Sequence, residues 1–435
     1  MALTSRPKLK QAHSYIKRKR KGWSTIIAAN TVHTAAAKVL IAMLALVLAA
    51  ALCPQVSHGS GVSYYVSTSG SDSNSGKNLS SPLLTINKAV SLVKPGDTIY
   101  VRGGTYKLTK SIDPTVSGTA SSRITLQSYG GEQVVVDAAG ANGGRAGTKA
   151  IRLSGVSYWT ISKIHVTKSP GIGISIQDGA HDNRIESLNI YSNGGTGMQL
   201  ETNAYNNYIN AVNSYFNYDP PYGEHADGFA NKAGARNNTF NRCKAWNNSD
   251  DGWDFWGGGY SQISKSEAFN NGYNASGVHY PEGDGTGFKL GGQSAGGWSG
   301  SNTVRNSAAY NNYGSGFLWN NATMKNMLYN TTAYNNNRGK LSYAFNYRFE
   351  NGDIIRNSVS AGTGGVRLAD NVDNKSNSWN LGLTGISFAS VDPKASNFLY
   401  LVSGSPLIDK GIQVGITFTN KAPDLGAFEL GAEWR

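Results

Sequence analysis

The stretch NTFNRCKAWNNSDDGWDFW, residues 238–256, places two short apolar–polar alternations, an asparagine pair and three aspartates in nineteen residues. Its first half has the period-two pattern of a half-buried strand. The asparagines behind Trp246 end that pattern, since Asn favours turns and tolerates the left-handed backbone. The same sentence returns along the chain. IYSNGG carries Asn193, YFNYD carries Asn217, AWNNS carries Asn247 and AFNNG carries Asn270, followed by AYNNY at Asn311 and AYNNN at Asn335. Several intervals are 23 or 24 residues (Asn193 to Asn217, Asn247 to Asn270, Asn311 to Asn335), and longer ones such as Asn270 to Asn311 imply inserted loops. Repeats of this length, built from short strands such as RIESLNIY and NTVRNSAAY, predict an all-β solenoid. Stacked asparagines at its turns would hydrogen-bond from coil to coil. The Leu-x-x-Leu framework of a leucine-rich repeat is missing.

Composition agrees. The chain has 435 residues, 53 of them glycine, with 10% aromatic and 15% charged residues. That is too apolar for disorder and too glycine-rich for a helical protein. The net charge of +13 resembles that of a nucleic-acid binder, but most of the excess sits in the leader. Residues 1–57 hold nine basic residues (Arg6, Lys8, Lys10, Lys17, Arg18, Lys19, Arg20, Lys21, Lys38) and no acid, which leaves 31 basic against 27 acidic residues beyond them. The remainder fits a polyanionic ligand and gives no reason to expect nucleic acid. After Lys38, the 15-residue run VLIAMLALVLAAALC is short for a membrane span and reads as an export signal. The expected mature protein is therefore secreted and monomeric, has no stable membrane association, and retains only Cys243, so it has no disulfide framework.

The expected organisation is a leader over 1–59 and a solenoid over 60–435. Within the solenoid, residues 60–150 form the N-terminal cap and first coils, 151–390 the central coils, and 391–435 a closing segment. In the cap, LLTINKAVSLV (83–93) has helical spacing, stopped by Pro95-Gly96 and followed by the strand TIYVRGGTY. A short helix there would cover the open end of the first coil. SPLIDKG and PDLGAFELG near the end read as a loop and a closing strand.

A Gly-apolar-x-apolar strand recurs at Gly197, Gly228, Gly252, Gly287 and Gly316. Aligning it stacks Gln199, Ala230, Asp254, Lys289 and Leu318 on the outer face, with Asp227 one coil from Asp251 just before the glycines. Asp227, Asp250, Asp251 and Asp254 are then predicted to converge, with a bend at Gly252 allowing Asp251 and Asp254 to share one side. Uncompensated, such a cluster would raise its own pKa values. With a cation it forms a hard oxygen cage suited to Ca²⁺, and the lack of nearby His or Cys argues against zinc. Lys289, one coil beyond Asp254 in GTGFKLGG, is placed to act as a base. His225 reads as structural, Trp253 and Trp319 as core, Trp256 as a possible sugar contact, and Arg305, Arg338 and Arg348 as candidates for binding substrate carboxylates.

HADGF (225–229), SDDGWDFW (249–256) and GTGFKLGG (285–292), with the opening segment SPLLTINKAVSLVKPGDTIYVRGGTY, resemble the motifs of polysaccharide lyase family nine pectate lyases. The resemblance covers about residues 62–430. It implies a right-handed parallel β-helix that cleaves polygalacturonate by β-elimination. On the matching positions it makes Asp227, Asp250, Asp251 and Asp254 the calcium ligands and Lys289 the Brønsted base. Members of the family also act on other uronate polymers. Two rivals are a polygalacturonase-type hydrolase with paired carboxyls, whose Gly-His-Gly and Arg-Ile-Lys motifs are absent, and a non-catalytic calcium-stabilised carbohydrate-binding solenoid.

Overall fold

The strands in the computed structural model are two to eight residues long, and each pairs in parallel with strands of the adjoining coils. The structure describes residues 61–142, 147–293 and 297–432. The basic leader and its apolar run lie outside them. No helix among the described residues is long and apolar enough to cross a membrane.

One sheet of nine strands climbs the molecule, and a second of twenty wraps the other faces of the coils. In the nine-stranded sheet Met198 pairs with Phe229, Phe229 with Trp253, Trp253 with Phe288, Phe288 with Phe317 and Phe317 with Tyr347. These inward side chains stack with centroid separations of 4.8, 4.6, 4.9 and 5.2 Å from Phe229 to Tyr347. The aromatic column fills the core that this width of coil leaves open, adding contact energy beyond burial.

The asparagine stack forms, with Asn193 and Asn217 where the repeat placed them and the later members one residue further on. Asn193, Asn217, Asn248, Asn271, Asn312, Asn336 and Asn346 are the stacked members, each accepting from the amide and side chain of the one before. The first asparagines of the pairs, Asn247, Asn270, Asn311 and Asn335, take left-handed φ values of 51–55° and turn the corner. Asn tolerates this conformation better than most residues, which explains the pair. A second stack, Asn183–Asn207–Asn238–Ser261–Asn302–Asn326, occupies another corner. Gly252 lies against the first stack. A Cβ there would meet the Gly287 carbonyl at 2.6 Å and Asn271 Nδ2 at 3.0 Å. The glycine is required for close approach, and the backbone bends there as expected.

The helix α1 spans Ile86–Val90, shorter than the spacing predicted, with Thr85 as N-cap. Leu83 instead hydrogen-bonds into the first coil, through its amide to the Tyr65 carbonyl at 2.8 Å. Ile86, Ala89 and Val90 are buried against that coil, so α1 does cap it. PDLGAFELG is not a strand: the last strand is Asp373–Lys375, and Leu425, Ala427 and Phe428 pack as irregular backbone. Its amides find isolated partners instead, such as Thr332 Oγ1, 2.9 Å from the Ala427 amide.

Candidate active site

The outer face of the nine-stranded sheet carries a register line of Gln199, Ala230, Asp254, Lys289, Leu318, Arg348 and Arg367, each paired with the next. Lys289 therefore lies one strand spacing from Asp254 along the solenoid axis. Just before the bends, the Asp251 amide reaches Asp227 Oδ1 at 3.3 Å. Asp227 and Asp251 are fully buried, and Asp250 and Asp254 nearly so.

The carboxylates do not converge on one point. They form two groups that share Asp251: Asp227, Asp251 and Asp254 on one side, and Asp250, Asp251 and Asp284 on the other, with ligand atoms within 4.8 Å of one another in each. Two lysines hold the clusters. Lys232 Nζ bridges Asp227 at 3.0 Å and Asp254 at 2.8 Å. Lys289 Nζ bridges Asp251 at 3.0 Å and Asp284 at 3.1 Å.

Lys232 and Asp284 were not legible as site residues. Lys232 stands five residues after Asp227 beyond a strand, and Asp284 is carried in by the inserted loop between Asn271 and the Phe288–Lys289 strand. That loop docks on the cluster through the Asp284 amide, 2.8 Å from Asp250 Oδ1. Asp219 supports the opposite side, accepting from the amides of His225 and Ala226 at 3.0 and 2.9 Å.

Burial dominates the electrostatics. It raises Asp227 to about 6 against the pull of Lys232, and Asp251 to about 8 against the pull of Lys289. Asp250 is raised by burial and by the neighbouring Asp251. Burial opposes charge on Lys289, but the surrounding carboxylates, Asp251 first, override it and hold its pKa well above the ordinary lysine value. Asp254 Oδ1 and Asp251 Oδ2 are buried without a hydrogen bond, although Lys289 approaches the latter. Buried carboxylate oxygens left unsatisfied among excess acid are what a hard cation would complete, so the donor set fits Ca²⁺.

Of the other candidates, Trp253 is buried in the aromatic column and Trp319 is partly buried against the core. Trp256 is 43% exposed. The His225 ring is exposed and lies 3.7 Å from Glu224. Arg305 sits over Tyr329 and donates to the Val414 carbonyl, and Arg338 sits over Tyr273. Arg348 alone of the three arginines shares the Lys289 register line.

The profile of the Pel9A-like, right-handed β-helix region matches residues 64–358. The chain belongs to this family. It is thus a right-handed parallel β-helix and a polysaccharide lyase, as the motifs implied. It is 32% identical to pectate lyase L of Dickeya chrysanthemi over 84% of this chain and 90% of that protein. Pectate lyase PEL9 of Emericella nidulans is 32% identical over 72% of this chain and 82% of that one. The crystal structure of pectate lyase Pel9A superposes with a TM-score of 0.75 at 29% identity, covering 86% of this chain and 98% of that one. A rhamnogalacturonan lyase shares the fold at a TM-score of 0.67 and 22% identity, covering 79% and 97%. In this lyase, the Gly-apolar-x-apolar strands carry Asp254 and Lys289, and the inserted loop brings Asp284 to the edge of the site.

Proposed function

We propose that the protein is an exported, calcium-dependent pectate lyase that cleaves polygalacturonate by β-elimination and leaves 4,5-unsaturated oligogalacturonides. The observation that carries this reading is the pairing of Asp254 with Lys289 beside the Asp227–Asp251 contact. In it, residues 1–59 are the leader and 60–435 the lyase domain. The leader's basic region and apolar run support export, and Cys243 is a buried free thiol among the described residues.

Asp227, Asp250, Asp251 and Asp254 are the residues that would hold Ca²⁺. When bound, the ion supplies positive charge that stabilises the uronate carboxylate as C5 becomes carbanionic and counters the acids that otherwise hold the Lys289 proton. Lys289, pinned between inward Phe288 and Leu290, presents Nζ at a fixed height on the sheet. Neutral Nζ takes the C5 proton, the C4–O bond breaks, and the glycosidic oxygen leaves with the chain fragment. Because Lys289 must give up its proton first, activity should be greatest at alkaline pH.

A hydrolase would need one carboxyl as acid and another as base facing a water. Here Asp227 and Asp254 share Lys232, and Asp251 faces Lys289, which disfavours that assignment. The test is to follow the ultraviolet absorbance of the conjugated unsaturated uronate on polygalacturonate, with calcium or chelator, for the native protein and Lys289→Ala. A calcium-dependent rise lost in the variant supports the reading. Chain cleavage without any rise would mean hydrolysis, and no cleavage of any uronate polymer would leave a binding protein.

A further inference from the structure

A cleft of about 150 Å³ opens beside Asp284, the acid that Lys289 Nζ contacts at 3.1 Å. Its walls come from three successive coils: Asp284 and Thr286 from the first, Leu318 and Trp319 from the second, Tyr343 and Arg348 from the third. A cleft shared in this way runs across the strands, parallel to the solenoid axis. Lys289, Leu318 and Arg348 follow one another along it in register. Neighbouring strands are about 4.8 Å apart, so Arg348 lies roughly 10 Å from Lys289 along the groove. A 1,4-linked pyranose chain advances by about one strand spacing per sugar, which puts Arg348 two sugars from the reacting one.

The arginine is held but underused. Nη1 donates to the Tyr343 carbonyl at 3.1 Å, which fixes the guanidinium against the loop before it. Nη2 is 3.9 Å from Glu350, and buried Nε has no hydrogen-bond partner. Arg152, at the other end of the same outer face, pairs through Nη2 with Asp113, although its Nε likewise has no hydrogen-bond partner. A positioned guanidinium with donors to spare, in a cleft beside the base, calls for an anion. Between it and Lys289 stands Leu318, which offers no charge.

Resting on the reading of Lys289 as the base, we propose that Arg348 binds the carboxylate of the uronate two sugars from the one that loses its proton. Leu318 makes no demand on the sugar between. Arg348 is thus a positioning and specificity-determining residue: it favours chains with acid groups at that spacing and tolerates a methyl-esterified or neutral sugar in the middle.

The experiment compares native protein, Arg348→Gln and Arg348→Lys on polygalacturonate and on defined oligogalacturonides. It also titrates galacturonate oligomers into Lys289→Ala with and without Arg348→Gln. Arg348→Gln should raise KM and weaken binding by about 10- to 100-fold with kcat within a few-fold, and Arg348→Lys should recover part of the loss. Esterifying the middle sugar should cost the native protein little. Unchanged KM and binding in Arg348→Gln, while the native protein still cleaves, would overturn the role of Arg348 alone. Failure of the native protein to bind or cleave any uronate would remove the base reading and this inference together. Should the glutamine variant melt early, Arg348→Lys, which keeps the charge, decides by whether its KM rises.

Discussion

The two sides of the coil at Gly252 solve opposite problems. Inside, the asparagine stack repeats in every coil from Asn193 to Asn346, is electrically neutral, and satisfies its amides through its neighbours. Outside, the acids occupy only neighbouring coils, carry charge into a buried place, and leave Asp254 Oδ1 without a hydrogen bond. A polar side chain repeated at every level is architecture, because cooperation between levels stabilises it. One confined to two or three levels and left incomplete is kept for what it binds.

That contrast can be broken most visibly at Lys289. Lys289→Ala should lower kcat by about 10²- to 10⁴-fold while the melting temperature of the calcium-loaded protein stays close to native. A collapse in stability instead would make the lysine a mere counter-ion. Next in size is Lys232→Met. It leaves Asp227 and Asp254 facing each other, so ion-free protein should lose about 3 kcal/mol in denaturant unfolding, with calcium restoring much of it. At the other corner, Asn207→Ala removes a member of the second stack that makes no hydrogen bond to the acids. It should cost about 2 kcal/mol in the same measurement and leave the calcium response untouched.

The smallest effect expected is a pH dependence. Asp227 near 6 and Asp251 near 8 are raised above their unfolded values, so the folded state binds these protons more tightly. Their contribution is fully present below about pH 4 and is lost as pH rises to about 8. Ion-free protein should therefore melt a few degrees lower at pH 8 than at pH 5, and calcium should raise the melting temperature more at pH 8. An equal calcium shift at both would mean that the acids are already ionised in the ion-free fold.

Much of this was legible in the residues. The Gly-apolar-x-apolar alignment gave the register that pairs Asp254 with Lys289, because a side-chain period of two leaves little freedom once glycine and aromatic positions are matched. Asn193 and Asn217 were placed correctly, and the later members were misplaced by one residue because an Asn-Asn pair does not announce which member turns and which stacks. The second stack was missed because its corner mixes Asn with Ser261. Lys232 and Asp284 were hidden for different reasons. Lys232 reaches Asp227 in its own coil and Asp254 in the next by virtue of a long side chain, whereas Asp284 depends on how a loop folds back. Neither leaves a periodic trace. PDLGAFELG failed as a strand since burial of its apolar residues does not require ladder hydrogen bonds when side chains such as Thr332 take its amides.

The coil that precedes the site has a regularity with practical reach. Thr160 pairs with Arg184, His165 with Asn189 and Ile174 with Met198, an offset of 24 residues on all three faces. Residues 160–183 thus constitute an insertion-free module whose two ends present matching surfaces. Duplicating that module should yield a longer protein with an intact reaction centre, its groove extended by about 4.8 Å per added copy. The fold is in that sense a ruler, graduated at close to one sugar per turn, on which the length of chain held can be set by counting coils.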